Sequence, residues 1–133
     1  MNIERNLMIK GIGLDVVNVQ RMRHWHKFPN LFKRFFHPEE LSSSLNKQEQ
    51  GLYSLAARFA AKEAFGKALG TGLKGFSLRD ICVMNNSQGK PEMYLYGSAE
   101  KIFNARGGGK IFTSLTHEHD YALALVVIEG ENG

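Results

Sequence analysis

A single long helix is predicted by the run Ala57-Arg58-Phe59-Ala60-Ala61-Lys62-Glu63-Ala64-Phe65-Gly66-Lys67-Ala68-Leu69-Gly70-Thr71-Gly72. Alanine and other helix-forming residues fill most of it, and the glycines at its end suit a left-handed helix cap. With about 100° between successive residues, Glu63 lies within roughly 40° of an apolar stripe. That stripe consists of Leu52, Ala56 and Phe59. The helix therefore carries a carboxylate among residues that we expect to be buried.

The carboxylate of Glu63 needs a partner, because an unpaired buried charge is strongly destabilising. Lys67, one turn further along the same helix, is one possible partner. A bound cation is the other. The first alternative predicts a structural ion pair, and the second predicts a metal site.

Length and composition predict one soluble domain spanning residues 1–133, with 43% hydrophobic and 23% charged residues. The apolar run from Tyr121 to Ile128 is too short to cross a membrane. Residues 1–6 lack the apolar segment of a signal peptide. Cys82, the single cysteine, excludes an internal disulfide, and no His/Cys cluster has zinc spacing. We therefore expect a cytoplasmic protein, without membrane contact, in which Cys82 is a small core residue.

Positive charge is concentrated in one segment, although the net charge of the chain is only +4. No acidic residue occurs between Asp15 and Glu39, whereas this interval contains Arg21, Arg23, Lys27, Lys33 and Arg34. Such a segment favours an anionic partner, either nucleic acid or an acidic protein. A solvated basic helix face with no partner is the alternative interpretation.

The remaining pattern predicts a mixed α and β protein. Strands are expected at 9–14, 81–86, 92–96, 110–116 and 121–128. In the last of these, Ala122, Ala124 and Val126 alternate with larger residues, which predicts a small-residue face lying against a helix.

Helices are predicted between these strands. One follows Asp15 and continues to about Lys27, a second opens at Pro38, and a short one covers 98–104. Asn46 followed by Glu49 resembles a capping box and predicts the start of the long helix.

Several side chains are candidates for chemistry. Asp15 ends the first predicted strand, where it is either a reactive group or a helix cap. Two carboxylates, Asp15 and Glu63, would suit Mg²⁺. Phosphate could be bound by Lys62, Lys67 and the backbone of Gly70 and Gly72. His117 and His119 share a predicted hairpin tip and are most simply polar surface residues. The residues alone thus indicate metal-assisted phosphoryl chemistry on an acidic partner.

Three motifs resemble those of the phosphopantetheinyl transferases. The first is Gly11-Ile12-Gly13-Leu14-Asp15, followed by Arg21 six residues later. The second is the run from Arg58 to Gly72, and the third is Ser114-Leu115-Thr116-His117. The resemblance covers about residues 9–128. It is to the short, single-domain type of the family and not to the double-length enzymes.

The resemblance implies an α+β phosphopantetheinyl transferase fold, an antiparallel sheet packed on a long helix. The family transfers 4′-phosphopantetheine from coenzyme A to a serine of apo acyl carrier protein, here for fatty acid biosynthesis, and releases adenosine 3′,5′-bisphosphate. It implies Mg²⁺ held by Asp15 and Glu63, with Lys67 as a third catalytic residue. Whether Glu63 or a metal-bound water removes the serine proton stays open.

The resemblance also implies binding surfaces. Coenzyme A is expected to contact Arg58, Lys62, Lys67, Gly70, Gly72 and His117. Acyl carrier protein, which is acidic, is expected to dock on Arg21, Arg23 and Lys27. Family members are homotrimers with active sites between subunits.

Two other functions remain possible at this point. A nucleic-acid-binding module would use the basic segment, although the sequence has no recognisable binding signature. A non-catalytic trimeric scaffold would keep the fold and need no metal.

Overall fold

The computed structural model describes residues 6–131; residues 1–5, which include most of the segment examined for a signal peptide, and residues 132–133 lie outside it. The strands are β1 (Leu7–Asn18), β2 (Ile81–Asn85), β3 (Pro91–Leu95), β4 (Lys110–Glu118) and β5 (Tyr121–Glu131). The helices are α1 (Val19–His26), α2 (Pro29–Phe35), α3 (Pro38–Ser44), α4 (Glu49–Leu69) and α5 (Gly97–Ala105). Short 3₁₀ turns occur at Leu45–Lys47 and Leu78–Asp80.

The strands form two antiparallel sheets. The larger has the order β1-β5-β4, and the smaller is the hairpin β2-β3. Ala122, Ala124 and Val126 of β5 are buried on the face that packs against α4, so the predicted small-residue face is confirmed. The predicted α+β class, with an antiparallel sheet on a long helix, is also confirmed.

Strand β1 approaches the backbone of α4 through two glycines. A Cβ atom on Gly11 would lie 1.8 Å from the carbonyl oxygen of Ala68, and one on Gly13 would lie 1.8 Å from that of Ala64. No side chain fits in this space. Glycine on the strand and alanine on the helix therefore bring the two elements close together.

Helix α4 is buried on nearly all sides, and its predicted end is confirmed. Gly70 caps it with φ 83°, in the left-handed region that favours glycine. The chain then folds back on the last turn, so that a Cβ on Gly66 would lie 2.1 Å from the carbonyl oxygen of Gly72. In the described helices between residues 6 and 131, none has the length and apolar character needed to span a membrane.

The predicted start of α4 is wrong. The helix begins at Glu49 after Gln48, which has φ 51° and makes no side-chain cap bond. Glu49 does not complete a capping box with Asn46, because its carboxylate binds Arg23 of α1. Helix α2 was not predicted, although Pro29 in its first turn is a helix-start signal.

The first strand is longer than predicted and continues past Asp15 to Asn18. Asp15 pairs with Ala124 inside the sheet. The β-branched Val16 and Val17 extend the strand. Asn18 caps α1, since its side chain accepts a hydrogen bond from the amide of Gln20 at 2.9 Å. The helix-cap interpretation of Asp15 is therefore wrong.

Candidate functional site

The crossing of β1 and α4 brings Asp15 and Glu63 together with two cations. Lys67 donates to Asp15 Oδ1 at 2.8 Å and to the carbonyl of Leu14 at 3.0 Å. Glu63 accepts from Arg21 of α1 at 3.4 Å. The sequence offered Glu63, one turn away on α4, as the partner of Lys67. In the structure Lys67 pairs with Asp15 instead, because its ammonium points to strand β1.

Electrostatics at this crossing favour an added cation. Burial raises the pKa of Glu63, and the charge of Asp15 raises it further, while Arg21 and Lys67 oppose the shift. Asp15 Oδ2 is buried and has no hydrogen-bond partner among residues 6–131. Hydrogen bonding to Asp15 raises the pKa of Lys67, which therefore stays charged. An unsatisfied carboxylate oxygen beside a second carboxylate fits a hard divalent cation such as Mg²⁺.

A cleft of about 470 Å³ lies along the other end of α4. It is lined by two of the expected coenzyme A contacts, Arg58 and His117, and by Tyr53, Asn85 and Leu115 among others. His117 is in strand β4, paired with Ala122, and its ring centroid is 5.5 Å from that of Tyr53. The predicted hairpin tip therefore holds His119 and not His117.

Arg58 lines this cleft but is largely held by the protein. Its Nε donates to the carbonyl of Val83 at 2.8 Å, and its Nη1 binds the side chain and carbonyl of Ser54. Burial lowers its pKa, against the charge of Glu40. The guanidinium therefore contributes a fixed positive charge at the cleft wall.

Lys62 is fully buried and does not face the cleft or the surface. It donates to Glu40 Oε1 at 2.6 Å and to the carbonyls of Leu78 and Ile81 at 2.9 and 2.6 Å. Burial lowers its pKa, although Glu40 opposes this. The expected phosphate contact of Lys62 is thus replaced by a structural ion pair. The sequence places Glu40 in the first turn of α3, where acidic residues are common and usually exposed, so it gives no sign that Glu40 is buried against Lys62.

The expected phosphate cradle at the end of α4 is also used internally. The amides of Thr71 and Gly72 both donate to the carbonyl of Gly66, at 3.1 and 3.0 Å. The amide of Gly70 donates to the carbonyl of Lys67 at 3.1 Å. These donors close the helix cap. Gly70 and Gly72 therefore shape the chain and offer these amides to the helix, not to a ligand.

The basic segment of residues 21–34 is less free than its sequence indicates. Arg21 binds Glu63, and Arg23 binds Glu49 at 2.8 Å beside Tyr53. The contact raises the pKa of Arg23 and lowers that of Glu49. Lys27 follows α1 and is exposed. Of the predicted docking residues, Arg21 thus lies next to the carboxylate pair, and Arg23 lies against Tyr53 of the cleft.

Cys82 is buried in β2, as predicted for a core residue. Burial raises the pKa of its thiol to about 11, with Glu40 and Glu39 adding to the shift. The thiol is therefore protonated near neutral pH.

Comparisons with known proteins cover almost the whole chain. The family model of the 4′-phosphopantetheinyl transferase superfamily matches residues 11–126. A holo-[acyl-carrier-protein] synthase of Treponema denticola is 50% identical over 123 residues, which cover 92% of this chain and 100% of the relative.

Two solved structures have a similar fold. The holo-[acyl-carrier-protein] synthase of Neisseria meningitidis matches with a TM-score of 0.82 at 39% identity, covering 91% of this chain and 98% of that one. The holo-(acyl-carrier-protein) synthase of Bacillus anthracis, in complex with CoA (3′,5′-ADP), matches with a TM-score of 0.77 at 31% identity, covering 92% of this chain and 98% of that one.

Proposed function

The chain belongs to the 4′-phosphopantetheinyl transferase superfamily, and on this basis we propose that it is a holo-acyl-carrier-protein synthase. It transfers 4′-phosphopantetheine from coenzyme A to a serine of apo acyl carrier protein and releases adenosine 3′,5′-bisphosphate. The observation that supports this best is the pair Asp15 and Glu63, with one buried carboxylate oxygen unpartnered. The reaction serves fatty acid biosynthesis, in a cytoplasmic setting, and residues 1–133 act as one domain.

Asp15 and Glu63 would hold Mg²⁺ in this proposal. Bound Mg²⁺ would neutralise charge on the phosphoryl oxygens and the leaving group. Lys67 orients the Asp15 carboxylate through its 2.8 Å bond and adds a positive charge next to it. Because Lys67 is about half exposed, its ammonium is also accessible to a substrate phosphate.

Arg58 and His117 are the proposed coenzyme A contacts in the cleft. Both line it, from opposite elements α4 and β4. An imidazole N–H and a guanidinium are suitable donors to phosphate oxygens. Lys62, Gly70 and Gly72 are left out of this contact set, because their donors are occupied within the protein.

The substrate protein would dock on Arg21, Arg23 and Lys27. These cations adjoin the carboxylate pair through Arg21 and the cleft through Arg23 and Tyr53. Electrostatic complementarity with an acidic protein would then place its serine near both.

A homotrimer with active sites between subunits is also part of the proposal. The face of the larger sheet that is turned away from α4 is apolar and exposed. Its exposed apolar side chains include Ile12, Leu14 and Val16 of β1, Phe112 of β4 and Leu125 of β5. Apolar patches of this kind mark association surfaces.

The test is a transfer assay with the full chain, coenzyme A, Mg²⁺ and an apo carrier protein, read as the mass gain of the carrier. Asp15→Ala and Glu63→Gln should lose most of the activity, because each removes a metal ligand. The control Asp120→Asn changes an exposed carboxylate in the β4–β5 turn and should retain full transfer activity. If the wild-type protein forms trimers but the carrier protein gains no mass, the chain is a non-catalytic trimeric scaffold and the proposed transferase function is rejected.

Docking is tested separately with Lys27→Glu. We expect a higher KM for the carrier protein and an unchanged KM for coenzyme A, because the charge lies on the docking segment. Added salt should weaken the wild-type reaction by screening the attraction. Lys101→Glu, at an exposed position of α5, is the matched control. Equal effects of Lys27→Glu on both KM values would reject the docking role.

A further inference from the structure

A second group of metal-ligating side chains lies away from the carboxylate pair. His37 and Glu39 belong to the start of α3, and Cys82 belongs to β2. Each offers one ligand atom, and these atoms all lie within 4.8 Å of one another. The sequence showed no zinc spacing because the cysteine is far from the other two along the chain. Packing of α3 against β2 brings them together.

The backbone around this group is well anchored. Glu40 Oε1 accepts from the amide of His37 at 2.9 Å, and Glu40 Oε2 accepts from the amide of Val83 at 3.0 Å. The buried carboxylate of Glu40 thus holds the backbone of His37 itself and of Val83, the neighbour of Cys82. The ring of His37 also stacks on Tyr96, with centroids 5.3 Å apart. The positions of His37 and Cys82 are therefore held by partners other than a metal.

The donor set selects a class of metal. An imidazole nitrogen, a thiolate sulfur and a carboxylate oxygen together suit a borderline-soft ion such as Zn²⁺. Mg²⁺ takes oxygen ligands and fits the Asp15 and Glu63 pair instead. The charges around the Cys82 sulfur are mixed, because Glu40 and Glu39 are negative whereas Lys62 and Arg58 are positive. The choice of metal therefore rests on the donor atoms.

We propose that His37, Glu39 and Cys82 form a Zn²⁺ site with three protein ligands and a fourth position open to water. Glu39 is exposed and His37 half-buried, so one side of the site faces solvent. When the sulfur–zinc bond forms, the thiol releases its proton to solvent. The bound ion links α3 to β2 and stabilises the folded state by mass action.

Coordination has one structural cost. His37 Nδ1 accepts the amide of Glu39 at 3.1 Å, as the cap of α3. Zinc on Nδ1 takes that lone pair, and zinc on Nε2 requires the proton on Nδ1, so either mode replaces the cap bond. The amide is exposed and is then hydrated.

The single cysteine provides a selective test. Co²⁺ replaces Zn²⁺ in tetrahedral sites, and a thiolate-to-cobalt charge-transfer absorption of this protein can arise only from Cys82, the single cysteine. We expect this band in the wild type, and we expect zinc to displace it. Cys82→Ser should abolish the band, and Glu39→Gln should weaken it. The control His119→Ala changes an exposed histidine in the β4–β5 turn beside Glu118 and should leave the band unchanged.

Zinc affinity is measured by competition with a chromophoric chelator. Cys82→Ser should weaken binding by at least about tenfold. Glu39→Gln, at an exposed position, supplies the same test without a risk to folding. A wild type without the sulfur band, or equal zinc affinity in wild type and both variants, would overturn the proposal. Neither readout uses transfer activity, so this result is independent of the proposed function.

Discussion

Glu63 is a residue at which stability and function make opposing demands. Its side chain is only 23% exposed, and both burial and Asp15 disfavour its ionised form. Arg21 compensates in part at 3.4 Å. Perturbed groups of this kind are common at functional sites, where a substrate or metal supplies the missing charge.

Glu63→Gln should therefore stabilise the metal-free protein, by roughly 0.5–2 kcal/mol at neutral pH. The raised pKa means that the folded state binds the proton more tightly than the unfolded state does. Wild-type stability should thus fall as pH rises from the ordinary carboxyl value of 4.5 through the raised pKa. The stability of Glu63→Gln should not fall over this pH range, because the amide does not ionise.

Urea unfolding at several pH values, with a chelator present, is the measurement. Glu118→Gln, which changes an exposed carboxylate, is the control and should behave like the wild type. A variant less stable than the wild type at neutral pH would mean that the pair with Arg21 outweighs burial and repulsion.

Two contacts between elements hold the site in place. Strand β1 lies directly on α4 through Gly11 and Gly13, which places Asp15 beside the last turns of the helix. The buried pair of Lys62 and Glu40 joins α4 to α3 and, through Val83, to β2. The first contact depends on an absence of side chains, and the second depends on a fully satisfied pair of charges.

Gly13→Ala should destabilise the protein by about 1–3 kcal/mol or more, because the new methyl group overlaps the carbonyl of Ala64. It should also lower transfer activity by moving Asp15 away from Glu63. Thermal unfolding and the transfer assay measure the two effects. Gly72→Ala is the comparison, since a Cβ there meets nothing within 4 Å and is disfavoured only by φ 62°. A smaller loss for Gly13→Ala than for Gly72→Ala would contradict close packing at this crossing.

Order and type of most elements follow from the sequence. The alternation in β5, the glycines after α4 and Pro38 at the start of α3 are local signals, and the structure confirms each. Boundaries that depend on distant partners were less accurate. Glu49 looked like part of a capping box, but an arginine from α1 binds it.

The molecule as a whole has an uneven surface. Apolar side chains are exposed across the outer face of the β1-β5-β4 sheet, while cations occupy α1 and α2. Exposing such an apolar face to water is unfavourable for a monomer. Self-association of the chain through this sheet is the arrangement that we propose to cover it.

Ile12→Glu should prevent that association. Ile12 is 59% exposed on β1, so a monomer should accommodate the charge, whereas an apolar interface should not. Light scattering after gel filtration should give three times the chain mass for the wild type and the monomer mass for the variant. Leu45→Glu, at 45% exposure beside α3, should remain trimeric. A monomeric wild type, or a trimeric variant, would reject this surface as the interface.

Local pattern and motif were sufficient to predict the α+β class, the long helix with its glycine cap and the candidate pair Asp15 and Glu63. Each depends on spacing within one segment, or on residues that match a family motif. Tertiary structure alone decided which charges meet. Lys67 binds Asp15 instead of its helix neighbour, Lys62 is buried against Glu40, and Cys82 lies beside His37. The physical reason is that contacts between elements distant in sequence depend on packing, and a buried charge binds whichever partner that packing brings within reach.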